Sequence, residues 1–315
     1  MQRSPDFQQL HDAVIVGGGP AGVTCAVWLK QLGFHVALVE RRDRCGGLQT
    51  ISPYSNTWIP TSPHASGAQV ADALQASMVQ HAVPMLLSTE VTSVQAGDSG
   101  KIVSLSSGST LPFKTLVIAT GVTPKAGGFA ARAGLIVGPG RVVANTDFTN
   151  ADVAILGGGD NAFENYQFVR GQGARSVTIF ARSVRARLES IETVPPEDVR
   201  VGPYSVDSDK NTVNGQPFGQ ILVLYGYEVS ASGLLGLELT RRADGFIWTD
   251  SECMTSVDGV FAIGEVAQKS HPCCVTSMAD GVNAAKAIQR RLESSVRDRV
   301  VGVFKRTISL TRMVV

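Results

Sequence analysis

Two glycine-rich segments and one pair of adjacent cysteines are the parts of this chain whose spacing suits chemistry. Gly17, Gly19 and Gly22 form a G-x-G-x-x-G pattern with Gly18, Pro20 and Ala21 between them. Glycine at those places lets backbone N–H groups approach a pyrophosphate at the positive end of a following helix. Glu40 closes the next apolar run, where a carboxylate accepts hydrogen bonds from both hydroxyls of an adenosine ribose. Gly157, Gly159 and Ala162 repeat the pattern as G-x-G-x-x-A, with Gly158, Asp160 and Asn161 filling it. There the acid is missing. Arg182, Arg185 and Arg187 follow instead, which favours a 2′-phosphate and hence NADP over NAD. A solvated basic loop is the plain alternative. Cys273 and Cys274 stand side by side just after His271.

Elements must hold these groups in place. Ala13–Val16 reads as a buried strand, Val23 to Leu32 as a helix closed by Gly33, and Phe34–Val39 as a second strand. Together they make a βαβ unit around the first glycine loop, the context that gives the pattern its meaning. Val153–Leu156, a helix to about Val169 and a strand at Ser176–Phe180 make a second such unit. Between the two, a helix is predicted from Gly67 to His81 with Val70, Leu74 and Met78 on one face. Strands are predicted near Met85–Leu87, Glu90–Gln95, Ile102–Leu105 and Leu116–Ile118. The stretch Glu189–Gln220 is rich in Pro, Asp and Asn. Beyond it, Ile221–Leu224, Phe246–Thr249 and Val260–Ile263 read as strands and Asp280–Leu292 as a helix.

Composition narrows the function classes. A chain of 315 residues with 43% hydrophobic and 17% charged residues is not disordered and is long enough for about two domains. Its net charge of +1 supplies no field for nucleic acid or an anionic membrane. No apolar run suits a membrane helix and no apolar leader is visible, so a soluble cytoplasmic protein is expected. No metal site is expected. The cysteine count, five, is odd and contains no C-x-x-C, which argues against a disulfide scaffold.

Two nested nucleotide folds followed by a strand ending in Gly264-Glu265 resemble the low-molecular-weight thioredoxin reductase family of flavoproteins. The matching pieces are VIVGGGPAG, CGGLQT, SNTWIP, VIATG, ILGGGDNA and GVFAIGEV. The resemblance implies an α/β fold of two nested Rossmann-like dinucleotide-binding domains. An FAD domain at 1–143 and 226–315 would be split by a shortened NAD(P)-type domain at 144–225. It implies that Gly17, Gly19, Pro20, Ala21 and Gly22 hold the FAD pyrophosphate, with Glu40 and Arg41 at the adenosine. Gly47, Leu48, Gln49 and Asn56 would line the ribityl chain and ring. Val91 would meet the adenine, and Ala119, Thr120 and Gly121 would lie at the domain crossover. Gly264 and Glu265 would face the ribityl chain, Glu265 standing where the family carries Asp. At the second loop, Gly157, Gly159, Asp160, Asn161 and Ala162, with Arg182 and Arg185, would hold NADPH or, alternatively, a second FAD. A homodimer is implied, with a small redox protein or a small-molecule thiol or disulfide as partner.

Three departures from the family matter. Arg141–Asp147, where the family carries its C-x-x-C, has no cysteine. The insert is short, so one or more of its strands are expected to be lost. His271–Thr276 carries the two cysteines where the family begins its last helix beside the flavin. There a helix N-terminus would stabilise a thiolate, and Val275 and Thr276 would touch the cofactor. The favoured expectation is an FAD-dependent thiol/disulfide oxidoreductase with Cys273 and Cys274 as relocated redox cysteines and His271 as proton donor. Simple packing of the two cysteines is the alternative reading of those residues. Cys25 reads as helix packing, Cys253 as an ordinary loop residue, and Cys45 as a minor candidate beside the cofactor. A cysteine-free enzyme resembling ferredoxin/flavodoxin–NADP reductases and a diflavin enzyme are the competing functions. Trp58, Tyr225 and Tyr227 could stack on flavin or pack the core.

Overall fold

The computed structural model describes residues 9–52, 56, 58–97, 100–230, 236–269 and 271–312. The chain divides into two compact units. The first holds most residues up to Gly121 and from Val229 onward, and the second is essentially Val122–Glu228.

The first unit opens with β1 (His11–Val16), α1 (Pro20–Gln31) and β2 (Val36–Val39). Ala13, Val14 and Ile15 are fully buried, as expected for a parallel strand covered on both faces. α1 begins on Pro20, whose missing N–H costs nothing at a helix start. Its N-cap, Gly19, is extended and offers no side-chain acceptor, so the first turn keeps its N–H groups for another partner. α2 (Gly67–Gln80) is capped reciprocally by Ser66 and Gln69 and buries Val70, Leu74 and Met78, the face its spacing predicts. Then come β3 (Met85–Leu86), β4 (Val91–Gly97), β5 (Gly100–Leu105) and β6 (Thr110–Ile118). β6 pairs antiparallel with β5 at its start and parallel with β1 at its end. One strand thereby joins a hairpin to the parallel core, in the order β3-β2-β1-β6-β5-β4.

The second unit contains β7 (Val122–Pro124), β8 (Leu135–Val137), the short helix α3 (Arg141–Ala144), β9 (Asp152–Leu156), α4 (Asp160–Gly171) and β10 (Ser176–Ala181). After these come α5 (Leu188–Glu192) and β11 (Val199–Val201), then the hairpin strands β12 (Val206–Asp207), β13 (Thr212–Val213) and β14 (Gln216–Pro217), and finally β15 (Gln220–Val223). β16 (Tyr227–Val229) pairs with β7 at the boundary. The parallel sheet has the order β11-β10-β9-β15-β8, with β12-β13-β14 as a separate antiparallel sheet. This unit starts at Val122 rather than 144 because β8 pairs with β15.

The expected loss of strands does not occur. β9–α4–β10–α5–β11 is a complete mononucleotide-binding half, and the economy falls on its second crossover, where α5 has only five residues.

The chain returns to the first unit with β17 (Val260–Ala262), parallel to β6, and with α6 (Cys274–Arg312). Phe246–Thr249 is not a strand. The Asp244-Gly245 turn folds the segment back on itself, and Ile247 makes only a single bridge with Arg241. α6 lies against α1 at very close range. A Cβ on Gly281 would be 2.5 Å from the Ala21 carbonyl oxygen and 2.9 Å from the Thr24 Cβ.

Candidate functional site

The first glycine loop is built so that no side chain comes between its backbone and a ligand. Gly17 has φ +111°, and a Cβ there would lie 2.2 Å from the Ala119 carbonyl oxygen. At Gly22 a Cβ would lie 1.9 Å from the Gly17 carbonyl oxygen, so the helix starts directly under the turn. Above the loop, Gly47 and Gly19 face each other. A Cβ on Gly47 would be 2.9 Å from Gly19 Cα, while one on Gly19 would meet only Gly47 Cα at 3.8 Å.

Glu40 is buried at the end of β2. Its Oε2 accepts from Gly18 N–H at 2.6 Å and its Oε1 from Arg42 N–H at 2.9 Å. Each oxygen keeps a further lone pair. The Arg42 guanidinium donates to Gly47 O and Thr50 Oγ1, pinning the 47–51 turn beside the loop. Leu48 and Gln49 lie on that turn, and Asn56 Nδ2 donates to Gln49 Oε1 at 2.9 Å. The run from Leu86 to Val91 borders Glu40: Glu40 N–H donates to Leu86 O and Thr89 N–H to Glu40 O. Val91 is buried, whereas Arg41 is exposed on the rim.

Thr120 Oγ1 is buried without a hydrogen-bond partner, at the end of β6 and next to Ala119, on which Gly17 rests. An unpaired buried hydroxyl costs about 1–3 kcal/mol. The glycine cradle, the ribose-type carboxylate and this hydroxyl are what FAD needs at the same place, so the residues fit the group.

The third wall is the segment after β17. Gly264 has φ +71°, and a Cβ there would be 2.9 Å from Ala21 Cβ. Gly264 N–H donates to Asp280 Oδ2 on α6 at 3.1 Å. Burial lifts the carboxyl of Asp280 above its usual range, against the pull of Gly264 N–H and Lys269. It lifts Glu265 as well. Sequence reasoning did not single out Asp280, because an acid inside an amphipathic helix looks like a solvated face.

Cys273 is the N-cap of α6. Thr276 N–H donates to Cys273 Sγ at 3.4 Å and Cys273 N–H donates to Thr276 Oγ1 at 3.1 Å, a capping box with a thiol in the usual hydroxyl position. Thr276 Oγ1 is also within 2.8 Å of the carbonyl of exposed His271. Cys274 points into the core cluster that contains Ala21, and burial, helped by Cys273 and Glu265, pushes its thiol up to about 11. Val275 is exposed.

The other three cysteines are fully buried. Burial, with Cys253 adding to it, raises Cys25, and burial with Glu40 pushes Cys45 up to about 12. Cys253 lies 3.1 Å from Lys269 Nζ and is still raised by burial. Cys273 is therefore the one cysteine of the five that reaches solvent.

The second unit contains its own cavity, about 550 Å³, at the N-terminus of α4. Gly157, Gly158, Gly159, Asp160 and Asn161 form one side, and Arg182 and Arg185 stand at the edge. Gly158 is obligatory, since a Cβ there would be 2.0 Å from the Ser183 carbonyl oxygen, whereas the space over Gly159 is open. Asp160 Oδ1 accepts from Arg187 N–H at 2.8 Å, and the Arg187 guanidinium pairs with Glu164 at 2.6 Å. Arg182 and Arg185 are exposed, and their guanidinium groups form no ion pair with an acid among the described residues. Ala162 is buried under the loop, in the close helix–sheet packing that its place in the pattern requires. Tyr204, Tyr225 and Phe129 line the cavity's other side. Tyr225, considered above as a flavin neighbour, lines this cavity. Tyr204 and Phe129 carried no spacing signal. Trp58 is exposed in the first unit, and Tyr227 is on β16.

Two dinucleotide cradles on separate parallel sheets, one with a ribose carboxylate and one with free arginines, define a two-nucleotide oxidoreductase fold. Residues 11–193 match the family described as pyridine nucleotide-disulphide oxidoreductase, and the chain belongs to that family of FAD-dependent oxidoreductases. It is 27% identical to a thioredoxin reductase of Peptoclostridium litorale, over 91% of this chain and 98% of the relative. The solved thioredoxin reductase of Lactococcus lactis shares the fold with a TM-score of 0.75 at 23% identity, covering 89% of this chain and 98% of that one. A bacillithiol disulfide reductase from Staphylococcus aureus has a TM-score of 0.71 at 15% identity, over 90% of this chain and 99% of that one. Among the described residues no helix is long and apolar enough to cross a membrane.

Proposed function

We propose that this chain is an NADPH-linked, FAD-dependent disulfide reductase whose attacking thiol is Cys273, with Cys274 as its buried companion. The observation that carries the reading is the position of Cys273. It is the solvent-reaching cysteine, its Sγ accepts an N–H at the N-terminus of a long helix, and that helix packs on the first glycine loop. FAD, when bound, supplies a two-electron relay between a hydride donor and a disulfide. Gly17–Gly22, Glu40, Thr120 and Glu265 would hold it.

The chain's own part is thiol exchange. The Cys273 thiolate attacks one sulfur of an external disulfide, forming a mixed disulfide and releasing one substrate thiolate. Thr276 N–H points at the attacking sulfur from the first turn of α6. The Cys274 thiol passes its proton to the substrate thiolate released first, and its sulfur then displaces the second substrate thiolate and leaves the two cysteines oxidised, two electrons having passed to the substrate. Successive residues are closer than an ordinary disulfide prefers, so this bond is strained and readily reduced. His271, exposed at the entrance, protonates the departing thiolate. The external disulfide belongs to a small redox protein or a small molecule. Arg182 and Arg185 favour NADPH over a second FAD in the other cavity, because only the former carries a 2′-phosphate. A cytoplasmic homodimer completes the reading, and light scattering of the purified protein tests the dimer.

Cys273→Ser is the informative variant, since serine is a good N-cap and the helix start is preserved. With an aromatic disulfide as acceptor, turnover falls at least about a hundredfold, while FAD content and NADPH-driven reduction of a one-electron dye stay at the wild-type level. Full disulfide turnover in Cys273→Ser overturns the assignment.

A further inference from the structure

We infer that Tyr225, fixed in place by Gly127 and Tyr204, receives the planar ring at the far end of the nicotinamide dinucleotide and sets the affinity of the second unit for the whole cofactor over its adenosine half. This rests on reading the cavity as an NADPH site. The topology carries the assignment. β10 and β15 flank β9 on opposite sides. Arg182 and Arg185 follow β10, the α4 N-terminus follows β9, and Tyr225 follows β15. A ligand anchored by its 2′-phosphate at the arginines and by its pyrophosphate at Gly157–Asn161 has one direction left, over the end of β15. Gly157 rests on that end: a Cβ on it would be 2.3 Å from the Leu224 carbonyl oxygen.

Tyr225 is also pre-organised. Gly127 has φ +61°, and a Cβ there would be 2.5 Å from Tyr225 Cε2 and 2.6 Å from Cδ2. The ring thus lies directly on glycine backbone and has no room to retreat. Phe129 flanks it with ring centroids 6.5 Å apart, tilted by 42°. The hydroxyls of Tyr204 and Tyr225 are 3.1 Å apart, and Tyr204 is itself held against Phe180 at 5.9 Å. Both tyrosines are half-buried and line the cavity. A rigid aromatic ring beside an anchored dinucleotide is suited to stack on a flat heterocycle.

Calorimetric titration of the FAD-loaded protein with NADP+ and with 2′,5′-ADP, which has the 2′-phosphate but no nicotinamide, tests this. Wild type binds both. Tyr225→Leu weakens NADP+ roughly tenfold and leaves 2′,5′-ADP unchanged, which also shows that the site is still folded. Tyr225→Phe keeps most of the NADP+ affinity, because the ring remains. If Tyr225→Leu leaves NADP+ unchanged, or weakens both ligands equally, the role of Tyr225 is wrong while the NADPH site stands. If wild type binds neither ligand, the NADPH reading fails and this inference falls with it.

Discussion

At the end of the strand after the first glycine loop stands a buried carboxylate, Glu40, already accepting from Gly18 N–H. At the corresponding place after the second loop stand Arg182 and Arg185, exposed at the edge of the second cavity. The first loop is roofed by bare backbone, Gly47 over Gly19; the second faces an aromatic wall. Both cradles use the same device, a strand that turns on glycines into a helix N-terminus, which is suited to a pyrophosphate. What differs is the group placed beside the ribose, and that charge decides whether a plain ribose or a 2′-phosphate is accepted. One βαβ frame is thus specialised twice in a single chain by side chains outside the glycine pattern.

The contrast should break most visibly at the glycines. Gly22→Ala forces a methyl against the Gly17 carbonyl, a clash costing roughly 3 kcal/mol or more. The purified variant is expected to be colourless or insoluble. Gly158→Ala, equally crowded but in the other unit, should stay yellow and lose NADP+ binding in a calorimetric titration. Next in size, Arg182→Ala combined with Arg185→Ala should weaken NADPH about a hundredfold or more without changing NADH, since charge-assisted hydrogen bonds to phosphate are worth about 1.5–3 kcal/mol each. Steady-state KM values for the two nucleotides check it.

The five cysteines all lie in the first unit and differ in burial in a way that alkylation reads directly. With Cys274 near 11 and Cys45 near 12, both are protonated at pH 8 and become thiolates only as pH approaches those values. Iodoacetamide followed by mass spectrometry should mark Cys273 alone at pH 8. The smallest effect concerns the anchor of the second sheet. Hydrogen bonds from Arg175 and Ser176 hold Asp152 at about 2. A depressed carboxylate contributes stability above its unfolded value, near 4, and loses it as pH falls toward 2. The urea midpoint of wild type should therefore exceed that of Asp152→Asn at pH 7, with the gap closing below pH 4.

Much of this contrast was legible in the sequence, because it rests on short-range patterns. The two glycine loops, Glu40 and the arginines lie within βαβ units whose apolar runs announce buried parallel strands. The departures arise where pattern is weak. Phe246–Thr249 is apolar enough for a strand, yet Asp244-Gly245 turns it back. The shortness of the insert as a whole predicts lost strands, but a five-residue helix still spans from β10 to β11. Tyr204 and Phe129 come from segments distant along the chain and are brought together only at Tyr225. Cys273 as a helix cap could not be read either, since thiols rarely take that place.

The central claim is that one cradle holds a flavin and the other feeds it electrons. Anaerobic titration of the purified protein with NADPH tests it most directly. One FAD per chain, bleached by about one equivalent of NADPH and far less readily by NADH, is the expected result. Two flavins per chain, or a single flavin that NADPH leaves yellow, would contradict it.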